Sequence, residues 1–167
     1  MPRGLSVDEI HILINQYAEA ARRVREAGFD AIEILAGVGA IISRFISPVT
    51  NKREDEYGGS LENRMCLARE VIAAIKRKAG EDFTVLWRWS PVEFVPGGCE
   101  LEGAKQIATF LEKAGVDWLN CQAGWHDSLI PLTTKEIPEG HWAYLAEEIK
   151  RVVKIPVVTA YRITDPI

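Results

Sequence analysis

The chain has 167 residues, 47% apolar and 26% charged, with a formal net charge of −4. That is the composition of one ordinary globular domain with no basic footprint for nucleic acid. No apolar run reaches the length of a membrane span, and Met1 does not open a signal-peptide layout. Cys66, Cys99 and Cys121 stand far apart with no C-x-x-C pair. This argues against a disulfide framework or a metal knuckle. It points to a reducing, cytoplasmic setting in which free thiols act as small buried hydrophobes.

Ser6-Val-Asp-Glu9 reads as a capping box, with Leu5 and Ile10 placed as its hydrophobic staple. Ile10, Ile14, Tyr17, Ala21 and Val24 then share one face of a helix. The helix closes at Gly28, a residue that takes the left-handed conformation without a Cβ penalty. A strand, Asp30–Ile34, runs into the Gly-rich turn Ala36-Gly-Val-Gly39, and a long polar loop extends to Tyr57. Ser60 caps a second helix expected to reach about Ala79. Lys78-Ala-Gly80 precedes a strand ending in Val85-Leu-Trp-Arg-Trp89. A third helix is expected from about Glu100 to Ala114, and the next strand is Asp117–Asn120. A fourth helix from about His141 to Val152 leads to the last strand, ending at Thr159. Thr164-Asp165-Pro166 then announces another helix.

The strands are short and mostly apolar, as buried parallel strands are. Their alternation with helices implies right-handed βαβ units. Four units in series fit either half of an eight-stranded barrel or a small open sheet. The helix announced at Asp165 favours the first: a partial TIM (β/α)8 barrel, residues 1–167, cut from a longer protein.

The loop between the first strand and the second helix is too long and too charged for a plain connector. Its sequence, Phe45-Ile-Ser-Pro-Val-Thr-Asn-Lys-Arg-Glu-Asp-Glu-Tyr-Gly-Gly-Ser-Leu-Glu-Asn-Arg64, resembles the Old Yellow Enzyme family of FMN-dependent ene-reductases. The similarity is strongest to the branch containing 2,4-dienoyl-CoA reductase. It covers almost the whole chain and places it at about the fourth to seventh barrel strands. It implies FMN as cofactor and hydride transfer between flavin and an activated C=C bond. The acceptor would be a bulky enone or an enoyl- or dienoyl-CoA, and NAD(P)H the electron source. Members of this branch often carry FAD and an iron–sulfur cluster in further modules, and neither is visible in these residues. The expected partner is a small molecule, with no nucleic acid and no membrane.

Arg88 lies in a strand otherwise built of large apolar side chains. An unpaired guanidinium inside a barrel would cost several kcal/mol, so it needs a partner. Two readings stand: a structural ion pair with Glu33 on the neighbouring strand, or a contact to the N1/O2 edge of flavin, as the resemblance implies. His126 follows the third strand, at the end of a barrel where active sites gather. A lone histidine in a polar loop is often merely exposed. The resemblance, through Gly124-Trp-His126, implies substrate binding and proton donation instead, a role suited to imidazole.

Arg162, with Ala160 and Tyr161, sits between the last strand and a helix start, a place where a phosphate is readily held. The resemblance assigns that edge to FMN, and the plain alternative is a solvated arginine. Val49, Thr50, Asn51 and Lys52 match a substrate-binding segment, and Lys52 and Arg53 carry charge that would attract a CoA phosphate. A charged loop is also commonly just solvated. The chain departs from the family pattern at three positions. Leu35 and Val38 are aliphatic where classical members place a hydrogen-bonding pair, and Ala40 stands where a tyrosine proton donor is usual. These departures predict a wider, more apolar pocket, with Ala40 on its substrate side. They also leave open a non-catalytic flavin-binding or scaffold relative. His11 and His141 receive no role.

Overall fold

A computed structural model describes residues 3–130 and 132–164. The first helix, α1 (Val7–Glu26), starts where the capping box places it: Glu9 N donates to Ser6 Oγ at 3.2 Å, and Ser6 N donates to the Glu9 carboxylate at 2.8 Å. Ile10 is fully buried and Leu5 packs against the same core. Gly28, at φ 87°, turns the chain into β1 (Ala31–Leu35).

The stretch read as a continuous polar loop contains a short helix, α2 (Ile41–Ile46). Its first turn has no side-chain cap at Ala40, so no start signal marks it, and burial of Ile42, Phe45 and Ile46 holds it in place. The single helix expected from Ser60 is two, α3 (Leu61–Arg64) and α4 (Cys66–Ala79), separated at the fully buried Met65. The chain continues as β2 (Thr84–Trp89), α5 (Leu101–Ala114), β3 (Trp118–Cys121), α6 (Ala143–Lys150) and β4 (Val157–Thr159). Gly115 closes α5 in the left-handed conformation, φ 99°. The helix announced by Asp165-Pro166 lies outside the described residues.

All four strands pair in parallel in the order β1-β2-β3-β4. Register aligns Leu35 with Arg88, Arg88 with Asn120 and Asn120 with Val158. The pleat sends alternate side chains to opposite faces. One face, with Ile34, Val85, Trp87, Trp89, Leu119 and Cys121, is buried with Leu67, Val71, Ile72, Ile75, Ile107 and Leu111 of the helices. Each large side chain fully buried there contributes about 1.5–3 kcal/mol of transfer free energy. The other face, with Glu33, Leu35, Arg88, Trp118, Asn120 and Val158, is open: Leu35 is 45% exposed, Trp118 43% and Val158 38%. Helices on one side and an open inner face make this sheet a four-stranded arc of a (β/α)8 barrel. Among the described residues no helix is long and apolar enough to cross a membrane.

Candidate functional site

Arg88 stands in the middle of the open face, near the C-terminal end of β2. Its guanidinium pairs with the Glu33 carboxylate on β1, and the other Glu33 oxygen accepts from Asn120 Nδ2 on β3 at 2.8 Å. Three strands are thus tied through one carboxylate. The ion pair expected as the structural role of Arg88 is present, but it does not satisfy the whole group. Toward the strand ends, Arg88 Nε is buried without a hydrogen-bond partner, as are Asn120 Oδ1, Gln122 Oε1, Thr159 Oγ1 and Arg162 Nε, while on the helix-covered face so are the indole nitrogens of Trp87 and Trp89. A buried unpaired polar atom costs about 1–3 kcal/mol, so a run of them at successive strand ends calls for a ligand of matching polarity. The heteroatom-rich edge of an isoalloxazine ring has that polarity, and these residues therefore fit FMN.

Tyr161 and Arg162 follow β4 in left-handed conformations, φ 74° and 51°. Burial raises the Tyr161 phenol above its ordinary value while the Arg88 charge pulls the other way, so the two side chains are electrostatic neighbours. The Arg162 carbonyl accepts from Gly140 N at 2.9 Å, and its guanidinium lies 4.0 Å from Glu139. Ala160 N donates to Cys121 O at 3.1 Å, which extends the sheet to the residue before Tyr161. Val38 and Phe94 are also left-handed, φ 50° and 53°. All four strained residues follow the C-terminal ends of strands, and for the β-branched Val38 the conformation is a true outlier. Such strain gathers where loop geometry serves a purpose other than stability.

His126 is exposed in the turn that leaves β3. A parallel β-bridge joins the neighbouring Trp125 to Val38, so the loops leaving β1 and β3 meet over the end of β2. Ala40 lies two residues beyond one side of that bridge and His126 one residue beyond the other. Ala40 caps α2 with its backbone, its carbonyl accepting from Ser43 Oγ at 2.7 Å and Arg44 N at 3.1 Å.

The structure does not bring Val49–Lys52 to this rim of loops through polar contacts. Asn51 is buried and spends its amide on Phe45 O (2.6 Å), Tyr57 O (2.7 Å) and Arg53 N (3.1 Å). Thr50 Oγ1 donates to Arg44 O and Lys52 Nζ to Pro48 O, so both turn back on their own loop. Thr50 and Asn51 line a cleft with Arg44 and Arg53 that contains no residue of the open sheet face. Val49 alone turns toward the β2–α5 loop, beside Gly97. Sequence reasoning missed Glu93, a buried acid in that loop, together with its partners Ser47 and Ser128. The only signal was an acid inside the apolar and Gly-rich stretch Pro91–Gly98. The cysteines behave as expected of hydrophobes: burial, with Glu93 adding at Cys99, pushes the Cys99 and Cys121 thiols up to about 12. Neither is an activated nucleophile near neutral pH.

Residues 1–167 match the NADH:flavin oxidoreductase / NADH oxidase family over their whole length, and the chain belongs to that family. An NADH oxidase of Thermoanaerobacter brockii is 46% identical over 166 residues, 99% of this chain and 26% of the relative. A 2-naphthoyl-CoA reductase solved with 2-naphthoyl-CoA superposes with a TM-score of 0.95 at 34% identity, over 98% of this chain and 25% of that one. The old yellow enzyme homologue from Zymomonas mobilis gives 0.74 at 31% identity, over 95% of this chain and 43% of that one. The Old Yellow Enzyme resemblance and the barrel fold are thereby established. The chain spans about a quarter of the length of the curated NADH oxidase relative.

Proposed function

We propose that this chain supplies the central wall of an FMN-dependent NAD(P)H oxidoreductase of the ene-reductase type. The observation that carries the reading is Arg88. It is held by Glu33 with a buried Nε left over, and Asn120, its register partner on β3, has an unpartnered Oδ1. When bound, the flavin supplies the hydride chemistry, and the protein supplies orientation and electrostatics. Arg88 holds positive charge where a reduced ring would carry negative charge. Arg162, Ala160 and Tyr161 form the edge for the phosphate end, and Asn120 and Gln122 fix ring orientation. His126 donates a hydrogen bond or a proton to the acceptor's carbonyl or thioester.

The substrate reading rests on the rim. Leu35, Val38 and Ala40 place no polar group there, which favours a bulky enone or an aromatic or enoyl thioester over a small enone. The similarity to a naphthoyl-CoA reductase supports the same class. Of the expected substrate segment, Val49 is assigned to the outer substrate wall, beside the β2–α5 loop, while Thr50, Asn51 and Lys52 hold their own loop. Any FAD or iron–sulfur cluster would belong to other parts of the complete protein, as would most contacts to NAD(P)H. The apolar rim also suits a flavin-binding relative without turnover. Anaerobic reduction of the complete protein by NADH or NADPH, then mixing with enoyl-CoA or enone, decides between the two. Reoxidation of the flavin supports the reductase, and a flavin that stays reduced with every acceptor overturns it.

A further inference from the structure

The loop between β2 and α5 holds a buried acid that none of these roles uses. Glu93 is 3% exposed. Its Oε2 accepts from Ser47 Oγ at 2.8 Å and from Cys99 N at 2.9 Å. The first partner belongs to the segment leaving β1, and the second closes Glu93's own loop, helped by Glu93 N donating to Cys99 O at 3.1 Å. The third loop is reached through the Glu93 backbone. Ser128 Oγ donates to the Glu93 carbonyl at 2.7 Å and itself accepts from Trp125 N at 2.7 Å. Ser128 N returns to Trp125 O at 3.1 Å. Residues 125–128 are therefore a tight turn, and His126 is its second residue.

Both ends of this turn are fixed. Trp125 is 3% exposed and bridged to Val38, and the preceding Gly124 N donates to Val92 O at 2.8 Å. Ser128 is fixed by Glu93. The middle of the turn, His126 and Asp127, is exposed. Packing alone would not select an acid for the Glu93 position, because an apolar side chain avoids the cost of burying a carboxyl group. The bonds from Ser47 Oγ, Cys99 N and Ser128 Oγ tie the three loops at this buried acid.

The geometry points to Glu93, acting through Ser128, as the positioning residue for His126. The brace holds the 125–128 turn in one conformation, so the imidazole meets the acceptor without first being ordered. Misplacement by about 1 Å costs on the order of 100-fold in rate, which is the scale a brace of this kind controls. This inference rests on the reading that His126 acts at the acceptor.

The test uses the complete FMN-loaded protein and two measurements: stopped-flow kinetics of each half-reaction, and hydrogen exchange resolved by segment. Ser128→Ala is expected to slow flavin reoxidation by substrate about 10- to 100-fold. Flavin reduction by NAD(P)H should stay within about twofold, because the turn does not serve that step. Exchange should rise in residues 122–130 while β2 and β3 keep their protection. Ser128→Thr, which keeps the hydroxyl, should restore both rate and protection. Glu93→Ala should loosen the same turn and also residues 47–49 and 97–99, whereas Glu93→Gln, which keeps an acceptor oxygen, should stay near wild type. With His126→Ala in place, adding Ser128→Ala should cost nothing further. An equal loss with and without His126, or unchanged exchange at 122–130, overturns the brace. If His126→Ala alone leaves reoxidation unchanged, the role of His126 has failed. If His126→Ala slows it and Ser128→Ala does not, only the positioning inference has failed.

Discussion

Arg88 on β2 is paired with Glu33 on β1, on the face of the sheet away from the helices. In this arc alone the side chains are 41% and 26% exposed, so solvent screens the pair, and its worth to the stability of the arc is at most about 1 kcal/mol. Its value is electrostatic, because Glu33 neutralises part of the charge that Arg88 presents to the barrel interior. Glu33→Gln is expected to lower unfolding stability by less than about 1 kcal/mol. In the flavin-loaded protein it should raise the flavin potential, since Arg88 then carries its charge unpaired. Denaturant titration and potentiometry measure the two effects, and a fall in potential would contradict the arrangement.

His126→Ala should slow reduction of the acceptor by about 10- to 1000-fold, the range for losing one positioned acid or polarising donor. Reduction of the flavin by its electron donor should be little changed. Equal slowing of both half-reactions in stopped-flow measurements would assign His126 to flavin binding or to the fold.

Ala40→Tyr fills the rim between the β1 and β3 loops. Turnover of the bulky thioester should fall, while small enones gain a donor, because a phenol with a pKa near 10 stays protonated at neutral pH. Steady-state assays of both proteins against both substrate sizes check this. No turnover by either protein with any acceptor would favour the flavin-binding relative.

Burial raises the Glu93 carboxyl above the ordinary glutamate range, against the opposing pull of the Cys99 N–H, the Ser47 hydroxyl and the Arg64 charge. The folded state then holds this proton more tightly than the unfolded chain. Stability from this group is full below the unfolded pKa and is lost as pH rises toward the folded one. Glu93→Gln carries no titrating proton, so the thermal midpoint should fall less than in the wild type as pH rises above the ordinary glutamate value. A steeper dependence in the variant would mean that the Glu93 carboxyl is not the group responsible.

Much of the scaffold was legible because its signals are local. Ser6 and Glu9 lie three residues apart, and Gly28, Gly80 and Gly115 mark the ends of helices that lead into strands. Alternation of strand and helix gave the parallel order. The helix α2 was not legible, since Ala40 is no cap and only long-range burial of Ile42, Phe45 and Ile46 holds it. The break at Met65 is equally silent. At the site, Arg88 stood out as a charge in an apolar strand, and its partner Glu33 followed from the strand period. The brace did not stand out, because Ser47, Glu93 and Ser128 are joined only by the approach of three loops. The expected substrate segment Val49–Lys52 shows the converse: Asn51 matches a motif and is occupied in holding its own loop.

Redox potentiometry of Arg88→Ala in the complete protein shows whether this wall of the barrel presents Arg88 to FMN. The reduced flavin would lose its nearby cation, so the midpoint potential should fall by about 40 mV or more, equivalent to about 2 kcal/mol for a two-electron couple. FMN should also bind more weakly. An unchanged potential would make Arg88 only the structural partner of Glu33.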